Sequence, residues 1–145
     1  MALKPSLDRE NLGFLLAKAS QRWNELLYER FREAGYPEVR PSYGSVLVPL
    51  FEDDGLRMGE LARRSRLSKQ TMTTIVRLVE REGLVRRERD PEDGRAFRIW
   101  LTERSIAFRP VAEDVLRELD AVVAGRVSPA ALPVLKQSLK GVMEL

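Results

Sequence analysis

Met72, Ile75, Val76 and Val79 are spaced as the buried stripe of a helix. Gln70, Thr73, Thr74, Arg77 and Arg81 then fall on its other side. That polar side has a particular chemistry. Glutamine carries the acceptor and donor pair that matches adenine. Arginine carries the donor fork that matches guanine. Threonine offers a methyl and a hydroxyl suited to thymine or to a phosphate. Acidic residues are absent from this side until Glu80 and Glu82. Ser68 is a good N-cap, and Lys69, Gln70 and Thr71 fill the first turn, where free amides and the helix dipole favour an anion. The set is equipped to read base edges in a major groove while holding phosphates. An ordinary amphipathic helix with one wet face has the same pattern, so the helix by itself leaves both readings open.

A second cluster follows. Arg86, Arg87, Arg89, Arg95 and Arg98 surround the turn Asp90-Pro91-Glu92-Asp93-Gly94. Arginine on a narrow tip can enter a minor groove or meet phosphates. Asp90 and Asp93 are placed to hold Arg95 extended through charge-assisted hydrogen bonds. Taken alone, the same residues describe an exposed hairpin with weak, screened ion pairs.

The elements that would position these groups can be read from periodicity. Residues 8–34 predict one long helix, about 40 Å from end to end, halted by Gly35. That exceeds what a small domain needs for its own core, and suggests burial against a second subunit. Ser42 is expected to cap a short helix through Phe51, which ends at the turn Asp53-Asp54-Gly55. Met58 to Ser65 predicts a two-turn helix. A brief turn at Arg66-Leu67 separates it from the helix 68–82, which Gly83 stops. Two helices joined this closely form a helix-turn-helix. The period then changes to two. Val85–Arg89 and Phe97–Leu101 predict a two-stranded hairpin. Thr102 caps a helix over about 103–126 that Pro110 should kink or interrupt. Ser128-Pro129 begins a last helix in which Pro133 sits awkwardly.

Composition narrows the function. The chain has 145 residues, 43% apolar and 32% charged, in keeping with one globular domain. It has no cysteine and no histidine. Disulfides and thiol switches are thereby excluded, and the commonest metal ligand and general base are missing. No cofactor is expected. No phosphate loop, nucleophile elbow or paired catalytic acid is present, so an enzyme is the weakest reading. The net charge of +3 is unevenly spread, with +5 in residues 57–104 and −2 elsewhere. The N-terminus has no signal-peptide pattern and no segment is long enough to span a membrane, so a cytoplasmic location is expected.

The stretch from Met58-Gly-Glu-Leu-Ala through Leu67-Ser-Lys-Gln-Thr-Met-Thr resembles the MarR (multiple antibiotic resistance regulator) family. So does its continuation, Gly83-Leu-Val-Arg-Arg-Glu-Arg-Asp-Pro-Glu-Asp-Gly-Arg and then Leu101-Thr. The hairpin motif is the more specific part. The family usually has a glycine soon after that Leu-Thr, where this chain has Ser105 and Ile106. The resemblance implies a mainly α fold with a β-hairpin wing. A winged helix-turn-helix lobe (42–102) would be flanked by dimerisation helices (8–34 and 103–145). It implies a homodimer on double-stranded DNA with a pseudo-palindromic operator, repressing genes and released by a small aromatic or anionic effector. By that likeness Ser68 to Arg77 match the recognition helix, Arg95 the groove-entering arginine and Asp93 the acid that orients it. Trp23, Tyr28, Tyr43 and Trp100 are candidates for an effector pocket, although core packing explains them as well. A winged-helix module that binds protein instead of DNA is the alternative. It would carry an acidic or apolar face on 68–82, where this chain is polar and basic.

Overall fold

The computed structural model describes residues 8–145, so most of the stretch read as lacking a signal peptide lies outside the described residues. Helix α1 (Leu12–Glu33) starts at the first residue of its apolar pattern and later than the expected residue 8, because Asp8–Asn11 closes a turn and Asn11 caps the helix on the Phe14 amide. Gly35 ends it at φ +95°. Only its second half is buried: Leu27 and Phe31 lie in the core, while Leu12 and Leu15 are exposed.

Ser42 does not cap the next helix. Pro41 nucleates a 3₁₀ turn, Pro41–Tyr43, that contains Ser42 and leads into α2 (Gly44–Glu52). Pro49, inside α2, cannot donate to the Ser45 carbonyl. That carbonyl instead accepts from the Ser65 hydroxyl at 2.5 Å, which fastens α2 to the turn of the helix-turn-helix.

Leu56–Arg57 forms a short strand, β1, which the expected two-stranded hairpin did not include. The hairpin is therefore part of a three-stranded antiparallel sheet of order β1-β3-β2, with β2 Val85–Arg89 and β3 Phe97–Leu101. Arg87 stands opposite Ile99, and Arg89 opposite Phe97. Between the strands lie α3 (Met58–Arg64) and α4 (Lys69–Arg81). Arg66 turns the chain between these helices at φ 54°, and its guanidinium donates to the Met143 carbonyl.

Helix α5 (Glu103–Val127) runs through Pro110 without a break, so of the expected kink or interruption the second does not occur. Pro110 and Ile106 are both exposed, so water can satisfy the carbonyl that the proline leaves free. Ser105 completes a capping box with Thr102 at the start of α5. Helix α6 (Ala131–Met143) begins with Pro133 in its first turn, where no amide partner is lost.

The core gathers Val46, Leu47 and Leu50 of α2, Leu61 of α3, Met72, Val76 and Val79 of α4, and Val85 and Ile99 of the sheet. Each fully buried side chain of this size contributes about 1.5–3 kcal/mol. Phe108 of α5 packs against Phe31 and Tyr36 at 4.8 and 4.9 Å, joining the long helices to this lobe. Helix α6 buries none of its residues.

Candidate nucleic-acid interface

The α4 helix is turned as its periodicity requires. Met72, Val76 and Val79 are buried, Ile75 is half-buried, and Gln70, Thr71, Thr74, Arg77 and Arg81 are exposed. Ser68 caps the helix, accepting from the Thr71 amide at 3.1 Å and donating to the Thr71 hydroxyl at 2.8 Å. Thr73 is half-buried and donates back to the Lys69 carbonyl, and Thr74 donates to the Gln70 carbonyl. These hydroxyls are thus already engaged, which leaves the threonine methyls and the Gln70 and Arg77 heads to face outward. No ion pair among the described residues involves Lys69, Arg77 or Arg81.

The wing arginines divide into two groups. Arg87 pairs with Glu80 of α4 at 3.1 Å and lies over the Phe97 ring, which ties the wing to α4. Arg89 donates to the Gly94 carbonyl across the tip, and Arg86 pairs with Glu88. Arg95 is exposed, with no ion pair among the described residues. Asp93 accepts the Arg95 backbone amide at 3.1 Å, so it shapes the turn beneath that residue without touching its guanidinium.

Asp90 departs furthest from expectation. It is only 2% exposed. Its Oδ2 accepts from Arg57 at 2.7 Å and from Arg98 at 3.1 Å, and its Oδ1 accepts the Glu92 amide at 2.9 Å. Arg98 also donates to the Gly55 carbonyl at 3.0 Å. Asp54 accepts the Leu101 amide at 2.9 Å, anchoring the other end of β3. Apart from the Glu92 amide, these ties join residues 8 to 47 positions apart, and no local pattern announces them.

The Glu92 amide, and after it the Arg57 guanidinium, hold the Asp90 carboxyl below its ordinary range against the opposing pull of burial. Glu60 is lowered to about 2 by its hydrogen bonds to Arg63 and Arg64. A carboxyl depressed in the folded state stabilises above its ordinary pKa, and that contribution is lost as pH falls through the folded value. With no histidine, no side chain of ordinary pKa titrates between about pH 6 and 8. The thermal midpoint is therefore expected to stay level across that range and to fall below about pH 4. Asp90→Asn should lower the midpoint at pH 7, with the gap to the parent chain closing in acid. A gap that stays constant down to pH 3 would remove Asp90 from this account.

The four aromatic candidates for an effector pocket are not brought together. Tyr43 is buried in the core, Trp23 packs at its edge, Trp100 sits on the sheet beside Gly55, and Tyr28 lies under Arg40. A cleft of about 610 Å³ between α1 and the 3₁₀ turn is lined by Ser20, Gln21, Asn24 and Arg40 among others, and by none of the four. Among the described residues no group of three or more metal-ligating side chains is assembled, and no helix is long and apolar enough to cross a membrane.

A model of the MarR family matches residues 41–97, which span the helix-turn-helix and most of the wing. The chain is 34% identical over 115 residues to the transcriptional repressor Rv2887 of Mycobacterium tuberculosis, a match covering 70% of this chain and 83% of that one. The solved structure of Rv2887 in complex with salicylic acid superimposes with a TM-score of 0.65 at 28% identity, over 93% of this chain and 98% of the other. A probable transcriptional regulator from Pseudomonas aeruginosa shares the fold at a TM-score of 0.80 and 24% identity, over 92% and 97% of the two chains.

Proposed function

This chain belongs to the MarR family, and on that premise we propose that it is a cytoplasmic transcriptional repressor that binds a pseudo-palindromic operator as a homodimer. The observation that carries the reading is the exposed face of α4. Gln70 and Arg77 point away from the core with no ionic partner, above a first turn that carries Lys69. Lys69 and the Thr71 hydroxyl hold phosphates, Ser68 caps the helix that carries them, the Thr73 and Thr74 methyls pack against the groove, Gln70 and Arg77 read bases, and Arg95 enters the neighbouring minor groove. Asp93 orients the Arg95 turn. Arg87 contributes through its link to Glu80 as much as through phosphate. In this division 8–34 and 103–145 supply the dimer and 42–102 the DNA-binding lobe.

The effector in this reading is a small aromatic or anionic molecule. Salicylic acid bound to the Mycobacterium tuberculosis relative supports that class. So does Arg40, which lies over the Tyr28 ring at 4.9 Å beside an open cleft and has no carboxylate partner among the described residues.

Selection of genomic fragments by the purified protein at two salt concentrations tests the proposal. A recovered pseudo-palindrome with half-sites about one helical turn apart is expected. Salt-sensitive capture without a motif would instead describe a nonspecific binder, and no capture at low salt a protein-interaction module. On the recovered duplex, Arg95→Ala should weaken binding to operator and unrelated DNA alike. Gln70→Ala and Arg77→Ala should relax base preference, at about 1–3 kcal/mol for each good base contact. Unchanged binding by all three variants would move the interface elsewhere.

A further inference from the structure

Arg57 occupies the N-cap of α3, yet it makes no capping hydrogen bond. Its guanidinium instead crosses to Asp90, with Nε and Nη2 each 2.7 Å from the same carboxylate oxygen. The Asp90 side chain is fully buried. Its other oxygen holds the Glu92 amide, and its backbone amide donates to the Ala96 carbonyl. Asp90 thereby closes the loop 90–96 that carries Arg95. Arg57 is also the last residue of β1 and passes directly into α3, whose short turn delivers α4. One side chain thus spans the distance between the helix-turn-helix and the wing tip.

β1 has only two residues and pairs only with β3, so backbone hydrogen bonds alone give the wing a short hinge. Arg98 closes that hinge from the other side, reaching Asp90 and the Gly55 carbonyl together. Charge-assisted hydrogen bonds from two arginines on one buried carboxylate are short and strong, and they hold it from both sides.

We propose that Arg57 is a positioning residue for DNA recognition: through Asp90 it sets the wing tip, and with it Arg95, at a fixed distance and angle from the recognition helix. The inference rests on the DNA-binding reading above. It assigns Arg57 a role by way of Arg95 and not through a phosphate of its own, although its side chain is 44% exposed.

Arg57→Ser is the informative variant, because serine is a good N-cap and α3 keeps its start. Affinity is measured for the full chain on the duplex recovered by genomic selection, alone and combined with Arg95→Ala. Arg57→Ser is expected to weaken binding about tenfold in the parent chain and less than about twofold in the Arg95→Ala background, the non-additivity of groups acting as a unit. Arg57→Lys, with a single point charge, should recover part of the loss. An equal loss in both backgrounds would mean a direct phosphate contact and overturn the proposal, as would no loss at all. Hydrogen exchange of the segment 85–101 without DNA gives a second readout. Exchange at Asp90 should quicken in Arg57→Ser while α3 stays protected, and unchanged exchange would also overturn the tether. Absence of binding by the parent chain would instead remove the DNA reading itself, before any variant is compared.

Discussion

Gly55→Ala is expected to lower the thermal midpoint by about 10 °C, the sum of a backbone effect and a packing effect. Gly55 has φ +72°, a conformation that costs an L-residue about 1–2 kcal/mol. A Cβ built there would lie 2.5 to 2.8 Å from three atoms of the Trp100 ring. Overpacking of this kind costs about 1–3 kcal/mol more. At roughly 2–4 °C per kcal/mol for a domain near this size, a total of about 3 kcal/mol gives the stated shift. Displacement of the glycine also disturbs its neighbours, because its carbonyl accepts from Arg98 and its amide donates to Asp54. Calorimetry on a small set separates the two causes. Trp100→Leu combined with Gly55→Ala should recover the packing share and leave the backbone share. A midpoint within 2 °C of the parent chain for Gly55→Ala alone would mean that Trp100 swings aside freely and that the turn is not held at positive φ.

The helix 68–82 was legible because everything that defines it is local. Its stripe, its Ser68 cap and its Gly83 stop lie within sixteen residues, and α4 follows them closely. The hairpin was legible for the same reason, since its alternation and its polar tip are adjacent in the chain. β1 was not. Two residues carry no period, and Leu56–Arg57 becomes a strand only because β3 lies alongside it. Asp90 was misjudged on similar grounds. A turn full of acidic residues reads as solvent-exposed, and its burial depends on Arg57, thirty-three positions earlier. The prolines show both outcomes. Pro41 and Pro133 act where sequence rules place them, at helix starts. Pro49 and Pro110 sit inside helices. At Pro49 the freed carbonyl is satisfied by Ser65, and at Pro110 the exposed surface leaves it open to water. Neither solution has a local signature. The outward face of α4 was readable in advance, and the ties of Asp90 to Arg57 and Arg98 beneath the wing were not.

Charging the exposed apolar face of α6 should have the largest effect on DNA binding. Val134, Leu135, Leu139 and Met143 are 38–65% exposed, and Leu12 and Leu15 at the start of α1 are as open. A helix of thirteen residues is marginal by itself in water, and α6 buries no residue of its own. Its helical state and its apolar face are both accounted for if a second copy covers them, which is the dimer proposed above. Leu135→Glu with Leu139→Glu changes two neighbouring positions on one face. In an isolated chain such exposed substitutions cost little, typically within about 0.5 kcal/mol each. In an interface they bury like charges without partners. The double variant is therefore expected to sediment as a monomer whose winged lobe stays folded, with a loss of helical dichroism equivalent to about one short helix. Linking two half-site contacts raises affinity by about 10²–10⁴ over one, so operator binding should fall by that factor. Binding to a duplex carrying a single half-site should stay close to that of the parent chain. The salt dependence should also drop by about half, because half the phosphates are neutralised. A variant that remains dimeric with full operator affinity would show that the exposed face of α6 is not the seam. The apolar start of α1 would then be the surface to charge next.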